Sequence, residues 1–210
     1  MSARVVIVGA GYAGVSAAKR LARGRSGVTP DVTIVNPRAD FVERIRLHQY
    51  LAGNRAATLP LSSVLPRSTT FVPGSAETID VAPNGALLVD ETLVSVGAST
   101  VVGAGDASRI EPAPIRMSCQ AAVPLGAHAA ETVLHLIAGT TPKPVRPKFV
   151  GQCISLGRKA GMMQRTTSDD VPTSFRITGK PGALLKEQIC TSTVKYGLNP
   201  DRAWMSYSWS

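Results

Sequence analysis

The stretch Val5-Val6-Ile7-Val8-Gly9-Ala10-Gly11-Tyr12-Ala13-Gly14 decides the fold. Four apolar, β-branched residues predict a buried strand, and three glycines spaced Gly-x-Gly-x-x-Gly follow at once. Val15 to Arg23 is Ala-rich and ends in Lys19, Arg20 and Arg23, which predicts a helix whose basic end suits its dipole. Strand, glycine turn and helix in that order are the context in which the spacing has a mechanism. Gly9 permits the tight turn, Gly11 lets backbone come close to a pyrophosphate, and Gly14 lets the helix pack on the strand. The helix N-terminus then offers free N–H groups and a positive dipole to an anion.

Outward from that core, 24–30 reads as a loop and Val32-Thr33-Ile34-Val35 as a second buried strand, completing a βαβ unit. The position that would hold a ribose, about 20 residues on, is normally acidic and here is Asn36, whose amide can still accept from and donate to hydroxyls. A helix is expected over Glu43 to Leu51, a loop or short helix over 59–66, and a third strand over Thr69 to Val72. Asn84-Gly85 between two apolar runs predicts a β-hairpin of 78–81 with 86–89. Thr100-Val101-Val102-Gly103-Ala104-Gly105-Asp106 reads as a parallel strand that ends in glycine and a carboxylate placed to accept from a sugar-alcohol hydroxyl. Cys119 to Ile137 predicts a long helix bent at Pro124, Thr140 to Lys148 a proline-rich linker, Phe149 to Leu156 and Gly161 to Gln164 antiparallel strands, and Pro181 to Lys195 a helix.

Composition narrows the class. The chain has 210 residues, 44% hydrophobic and 18% charged, which is globular and excludes disorder as the main state. No apolar stretch approaches the ~20 residues of a membrane-spanning helix and no signal-peptide pattern is present, so a cytoplasmic protein is expected. Cys119, Cys153 and Cys190 are an odd, widely spaced set, expected as reduced thiols; neither a disulfide framework nor a metal site is indicated. The net charge of +9 is scattered rather than gathered into a patch with a nucleic-acid-binding motif, so no nucleic-acid partner is expected.

The 100–106 segment resembles the second FAD motif of the flavin-dependent pyridine nucleotide oxidoreductases. The stretches from Asn36 to Gln49 and Met117 to His128 look like the actinobacterial branch related to type II NADH dehydrogenases, and Phe149 to Gly157 resembles the start of that branch's C-terminal domain. The resemblance implies an α/β fold: a Rossmann-like, FAD-binding parallel sheet over residues 1–140 and a small α+β unit over 147–210. It implies FAD held by Gly9, Gly11, Ala13, Gly14, Asn36, Pro37, Arg44, Ala76, Gly105, Asp106, Ser118, Cys119 and Gln120. In such proteins Asp106 would bind the ribityl chain, and the helix opening at Ser118 would aim its N-terminus at the flavin ring. Arg46 and His48 fall in the segment that resembles the flavin-contacting loop and are the catalytic candidates, the histidine because it exchanges protons near neutral pH.

This chain departs from that pattern in one respect. Members carry a second glycine fingerprint, for NAD(P)H, inserted in the middle of the FAD domain; here there is one fingerprint only, and Asp80 to Gly85 stands where the insertion would be. No cysteine occurs between 36 and 118, which argues against a flavin-linked disulfide there. The leading expectation is an FAD oxidoreductase acting on a bulky conjugated or quinone-like small molecule, reduced by its substrate or by a separate flavin reductase. The alternatives are a redox-neutral cyclase or isomerase with structural FAD, and a non-catalytic binding protein. His128 and His135, seven apart on one helix face, are expected to be structural. Trp204, Tyr207 and Trp209 crowd the last seven positions. A homodimer through the C-terminal part is expected to bury them, the other way being cover over the face left by the absent unit.

Overall fold

The computed structural model describes residues 3–25, 27–53, 56–78, 85–111, 114–157 and 159–198. Strand β1 (Arg4–Val8) leads through the glycine turn into helix α1 (Tyr12–Leu21), and β2 (Asp31–Asn36) returns parallel to β1. β3 (Asp40–Val42) follows, then a single 3-10 turn, Arg44–Arg46, and α2 (Leu47–Leu51). The 43–51 helix is therefore broken into two short pieces. β4 (Thr58–Pro60) pairs antiparallel with β3, and α3 (Leu61–Val64) precedes β5 (Thr69–Pro73), which adds parallel to β2. Among the described residues the parallel sheet thus has three strands in the order β1-β2-β5.

The hairpin expected around Asn84-Gly85 falls on 79–84, outside the described residues, and the strand after it is β6 (Leu87–Val89). A tight reversal lies further on, where β7 (Val94–Ser95) turns through Val96 and Gly97 into β8 (Ala98–Val102), with Ser95 opposite Ala98. This corrects the reading of 100–106 as a strand of the parallel sheet. A two-residue connection can join only antiparallel neighbours, because a parallel partner needs a crossover of a dozen or more residues. β8 belongs instead to a second sheet, β8-β7-β6-β9, closed by β9 (Ser108–Ile110) running parallel to β6.

Helix α4 (Cys119–Ile137) is continuous through Pro124 and buries residues all round. Its small residues allow this. Ala122 and Val123 pack with Val15, Ile34 and Phe41; Ala121, Leu125 and Ala129 pack with Val89, Leu93 and Phe149; Ala130 and Leu134 pack with Ala18, Leu21 and Val32. One helix therefore carries the core between the parallel sheet with α1 on one side and the second sheet on the other. Ser16 Oγ donates to the Val123 carbonyl at 2.8 Å within this contact, and Glu131 on α4 pairs with Arg20 and Arg25. His128 is buried and its Nε2 lies 2.9 Å from the Lys143 carbonyl, which ties the linker to α4. His135 Nδ1 meets Thr140 Oγ1.

The linker contains no helix or strand. Beyond it β10 (Gly151–Ser155), β11 (Gly161–Thr166) and β12 (Pro172–Thr178) form an antiparallel sheet, and α5 (Gly179–Ser192) packs on its Cys153-Met163-Ile177 face. The first two strands follow the sequence reading; β12, which opens on Pro172 at the sheet edge, was not anticipated.

Candidate functional site

The site lies where the carboxyl ends of the parallel strands meet the start of α1. Gly9 has φ +94°, a left-handed conformation that only glycine adopts freely, and its N–H donates to the Val35 carbonyl at 2.8 Å. Gly11 is the extended N-cap of α1, with no side-chain hydrogen bond to the first turn and no acidic residue within it. The first-turn N–H groups are thus uncapped by any side chain, the arrangement that binds an anion. A Cβ at Gly9 or Gly11 would enter open space, so the loop leaves a cradle above its backbone. A Cβ at Gly14 would overlap the Gly9 carbonyl oxygen, which explains the third glycine by space alone.

Asn36 closes the loop from the side. Its Oδ1 accepts from the Ala10 N–H at 3.0 Å and its Nδ2 donates to the Arg38 carbonyl at 2.7 Å, across Pro37. The side chain expected to face a ribose therefore first orders the glycine turn. β5 ends at the same place, with the Gly74 N–H donating to the Asn36 carbonyl; Ala76 lies in the exposed stretch just beyond.

Although β8 belongs to another sheet, its end reaches this crevice. Gly105, at φ +76°, comes so near that a Cβ would lie 3.0 Å from the Ala13 Cβ and 3.7 Å from that of Ala122. Asp106 follows in a 3-10 turn, exposed, beside a small recess that Arg116, Met117 and Ala121 also line. Ser118 caps α4, its Oγ accepting from the Ala121 N–H at 3.2 Å. Gly126, one helical turn past Ala122, sits so close to α1 that a Cβ would overlap the Ala13 carbonyl. The first turn of α1, the Gly105 turn and the first two turns of α4 are thereby packed together, with Ala13 as the common contact.

Cys119 and Gln120 face the C-terminal part. The Gln120 amide, oriented to satisfy both ends, donates to the Gly151 carbonyl at 2.9 Å and accepts from the Val150 N–H at 3.1 Å. Arg116 pairs with Asp170 and lies over the Phe149 ring, 5.0 Å from its centre.

Arg46 is placed differently from the substrate-orienting role expected of it. It is 1% exposed, with Nε on Glu43, Nη1 on Gln49 and Glu187, and Nη2 on Thr191. Burial opposes its charge, but the carboxylates of Glu187 and Glu43 more than offset this and its pKa is raised. A guanidinium spent on four protein side chains is a clamp between the 43–49 segment and α5, not a group that meets a substrate. Arg44 and His48 are exposed beside it. Partial desolvation, with Lys186 and Arg46 nearby, lowers the His48 pKa.

Sequence reading also missed that the three cysteines converge. Cys119, Cys153 and Cys190 are all free, and Lys186 Nζ is 3.8 Å from Cys190 Sγ. Burial pushes all three thiols up, and the Lys186 charge acts against that at each. Spacings above thirty residues carried no signal of this, because β10 and α5 bring them together only in the fold.

No protein-family model matches the chain, and no curated protein matches it. Among solved structures, the sulfide:quinone oxidoreductase of the hyperthermophilic bacterium Aquifex aeolicus is similar over 93% of this chain and 59% of its own, with 13% identity and a TM-score of 0.45. A FAD-dependent pyridine nucleotide-disulphide oxidoreductase from Desulfovibrio vulgaris is similar over 78% of this chain and 49% of its own, with 14% identity and a TM-score of 0.28. A covalent putidaredoxin reductase–putidaredoxin complex is similar over 92% and 58%, with 13% identity and a TM-score of 0.28. The chain spans between about half and three-fifths of the length of these structures.

Proposed function

We propose that this chain is a FAD-binding flavoprotein, an oxidoreductase acting on a bulky conjugated or quinone-like small molecule without a nicotinamide-binding unit of its own. The observation that carries the reading is the close packing at Ala13, where the uncapped first turn of α1, Gly105 and α4 meet, with Asp106 following Gly105. A dinucleotide needs a cationic pole for its pyrophosphate and a separate acceptor for its sugar-alcohol hydroxyls, and the α1 N-terminus and Asp106 have those chemistries.

The residues present fit FAD. Gly9 and Gly11 would offer open backbone to the pyrophosphate, Asn36 keeps that loop in shape, and Asp106 would accept from the ribityl hydroxyls. The first turn of α4, from Cys119 and Gln120, supplies the positive end of a nineteen-residue helix dipole to the ring. Bound there, FAD supplies hydride or single-electron transfer, which no side chain of the chain provides. His48, exposed, is the group that would exchange a proton with the substrate. Reducing equivalents would come from the substrate or from a separate reductase.

Asp106→Ala tests the assignment. It removes a charge-assisted hydrogen bond worth roughly 1.5 to 3 kcal/mol, so the Kd for FAD should rise at least about tenfold while the fold, to which the exposed carboxylate adds little, melts at an unchanged temperature. An unaltered Kd by titration would remove Asp106 from the site.

A further inference from the structure

The thiol cluster at the start of α4 is used by nothing described so far. Lys186 and Cys190 stand four apart on α5, hence on one row of the helix, and Lys186 Nζ reaches 3.8 Å from Cys190 Sγ. Cys190 is 2% exposed. Val194, the next residue at that spacing, packs on the core cluster of Tyr12, Phe41 and Val123, and Cys119, which opens α4, packs on the same cluster. The row that bears Cys190 therefore runs to the place where Cys119 sits. Glu187 and Thr191, the adjacent row, are the residues that hold Arg46, so the arginine clamp keeps α5 in this register.

A neighbouring group reports the same proximity. Burial raises the pKa of the Tyr12 hydroxyl, and Cys119 and Cys190 both add to the rise. The lysine is the informative member of the cluster. A thiol in a core packs as a small hydrophobe and needs no cation, whereas an ammonium beside it favours the thiolate, the form that attacks a disulfide.

We propose that Cys119 and Cys190 are a reversible dithiol–disulfide pair, with Lys186 supporting the Cys190 thiolate, and that the oxidant is a low-molecular-weight disulfide of the glutathione class. Cys119, the less buried of the two, reacts first. Its thiol gives up a proton to water, the sulfur attacks one sulfur of the oxidant, and the first glutathione leaves as a thiolate that takes a proton back. The Cys190 sulfur, deprotonated beside Lys186, then attacks the Cys119 sulfur and expels the second glutathione, which is protonated in turn. Two protein thiols have lost two electrons and two protons, and one disulfide has become two thiols. The bond joins the first turn of α4 to α5, across the proline-rich linker. The pair needs no flavin, so it stands independently of the preceding reading.

The test is oxidation of the full chain with glutathione disulfide, followed by thiol counting in urea, intact mass and peptide mapping. One free thiol should remain of three, the mass should fall by two hydrogens, and a single bridged peptide should hold Cys119 and Cys190. Dithiothreitol should reverse all of this. The oxidised chain should also unfold at higher urea than the reduced one, because the bridge restricts the unfolded state. Cys153→Ser should oxidise as the parent does, while Cys190→Ser should stop at a glutathione adduct on Cys119. Should Cys190→Ser fail to fold, the bridged peptide of the parent decides alone. Three thiols still free after oxidation, separate glutathione adducts without a bridge, a bridge that contains Cys153, or a bridge between two chains would each overturn the proposal.

Discussion

Gly126→Ala should destabilise the protein and weaken FAD binding by more than tenfold, although Gly126 is far along α4 from any ligand group. Two effects compete. Replacing glycine by alanine inside a helix ordinarily gains about 1 kcal/mol in helix propensity. Here the added Cβ would overlap the Ala13 carbonyl and lie 2.8 Å from the Ala13 Cα, so α1 and α4 must part. Forced overpacking typically costs 1 to 3 kcal/mol, and backbone on the other side leaves no flexible side chain to yield. The clash therefore wins. Ala13 is also the neighbour of Gly105, so separating the helices shifts the start of α1 relative to the Gly105-Asp106 turn. Thermal melting with FAD titration checks this; a variant as stable as the parent and with the same Kd would show that the helix contact does not position the site.

Arg46→Met should be the most damaging single change in the C-terminal contact. Glu43, its ion-pair partner at 2.9 Å, is 4% exposed, so removing the guanidinium strands a buried carboxylate. Breaking a buried pair from one side costs roughly 3 to 5 kcal/mol, a large share of the stability of a domain this size. Glu187, the other acidic partner, is 43% exposed and can be hydrated, so Glu187→Gln should cost below about 1 kcal/mol. The contrast distinguishes a clamp from a substrate-binding arginine. Denaturant unfolding should show Arg46→Met far less stable, and Arg46→Met with Glu43→Leu partly restored. A stable Arg46→Met protein with only its turnover impaired would return Arg46 to the catalytic role first expected of it.

These two residues also mark what could be read in the sequence. The glycine loop was legible because its requirements are local: a strand before it, a helix after it, and glycine where φ is positive or a Cβ has no room. α4 was legible from Cys119 to Ile137 for the same reason, its Ala-rich body being sufficient without tertiary help, while its Ser118 cap emerges only in the structure. The burial of Arg46 was not, since the partners that permit it include Glu187 and Thr191, which α5 delivers 141 and 145 positions later. The convergence of Cys119, Cys153 and Cys190 was hidden in the same way. The reversal at Val96-Gly97 carried no such turn chemistry and is set by strand pairing, Ser95 lying opposite Ala98. Strands β3 and β4, three residues each, carry too little periodicity to announce themselves and exist by pairing with one another.

The central claim, a flavin site without a nicotinamide unit, is tested most directly by the absorbance spectrum of the purified, FAD-reconstituted chain before and after addition of NADH and NADPH. The account predicts an oxidised flavin spectrum whose chromophore is released intact by heat or acid, and no bleaching by either nucleotide at a rate useful for turnover. A chain that remains colourless with excess FAD would contradict the flavin site, and rapid bleaching by NADH would contradict the reading of a single dinucleotide fingerprint.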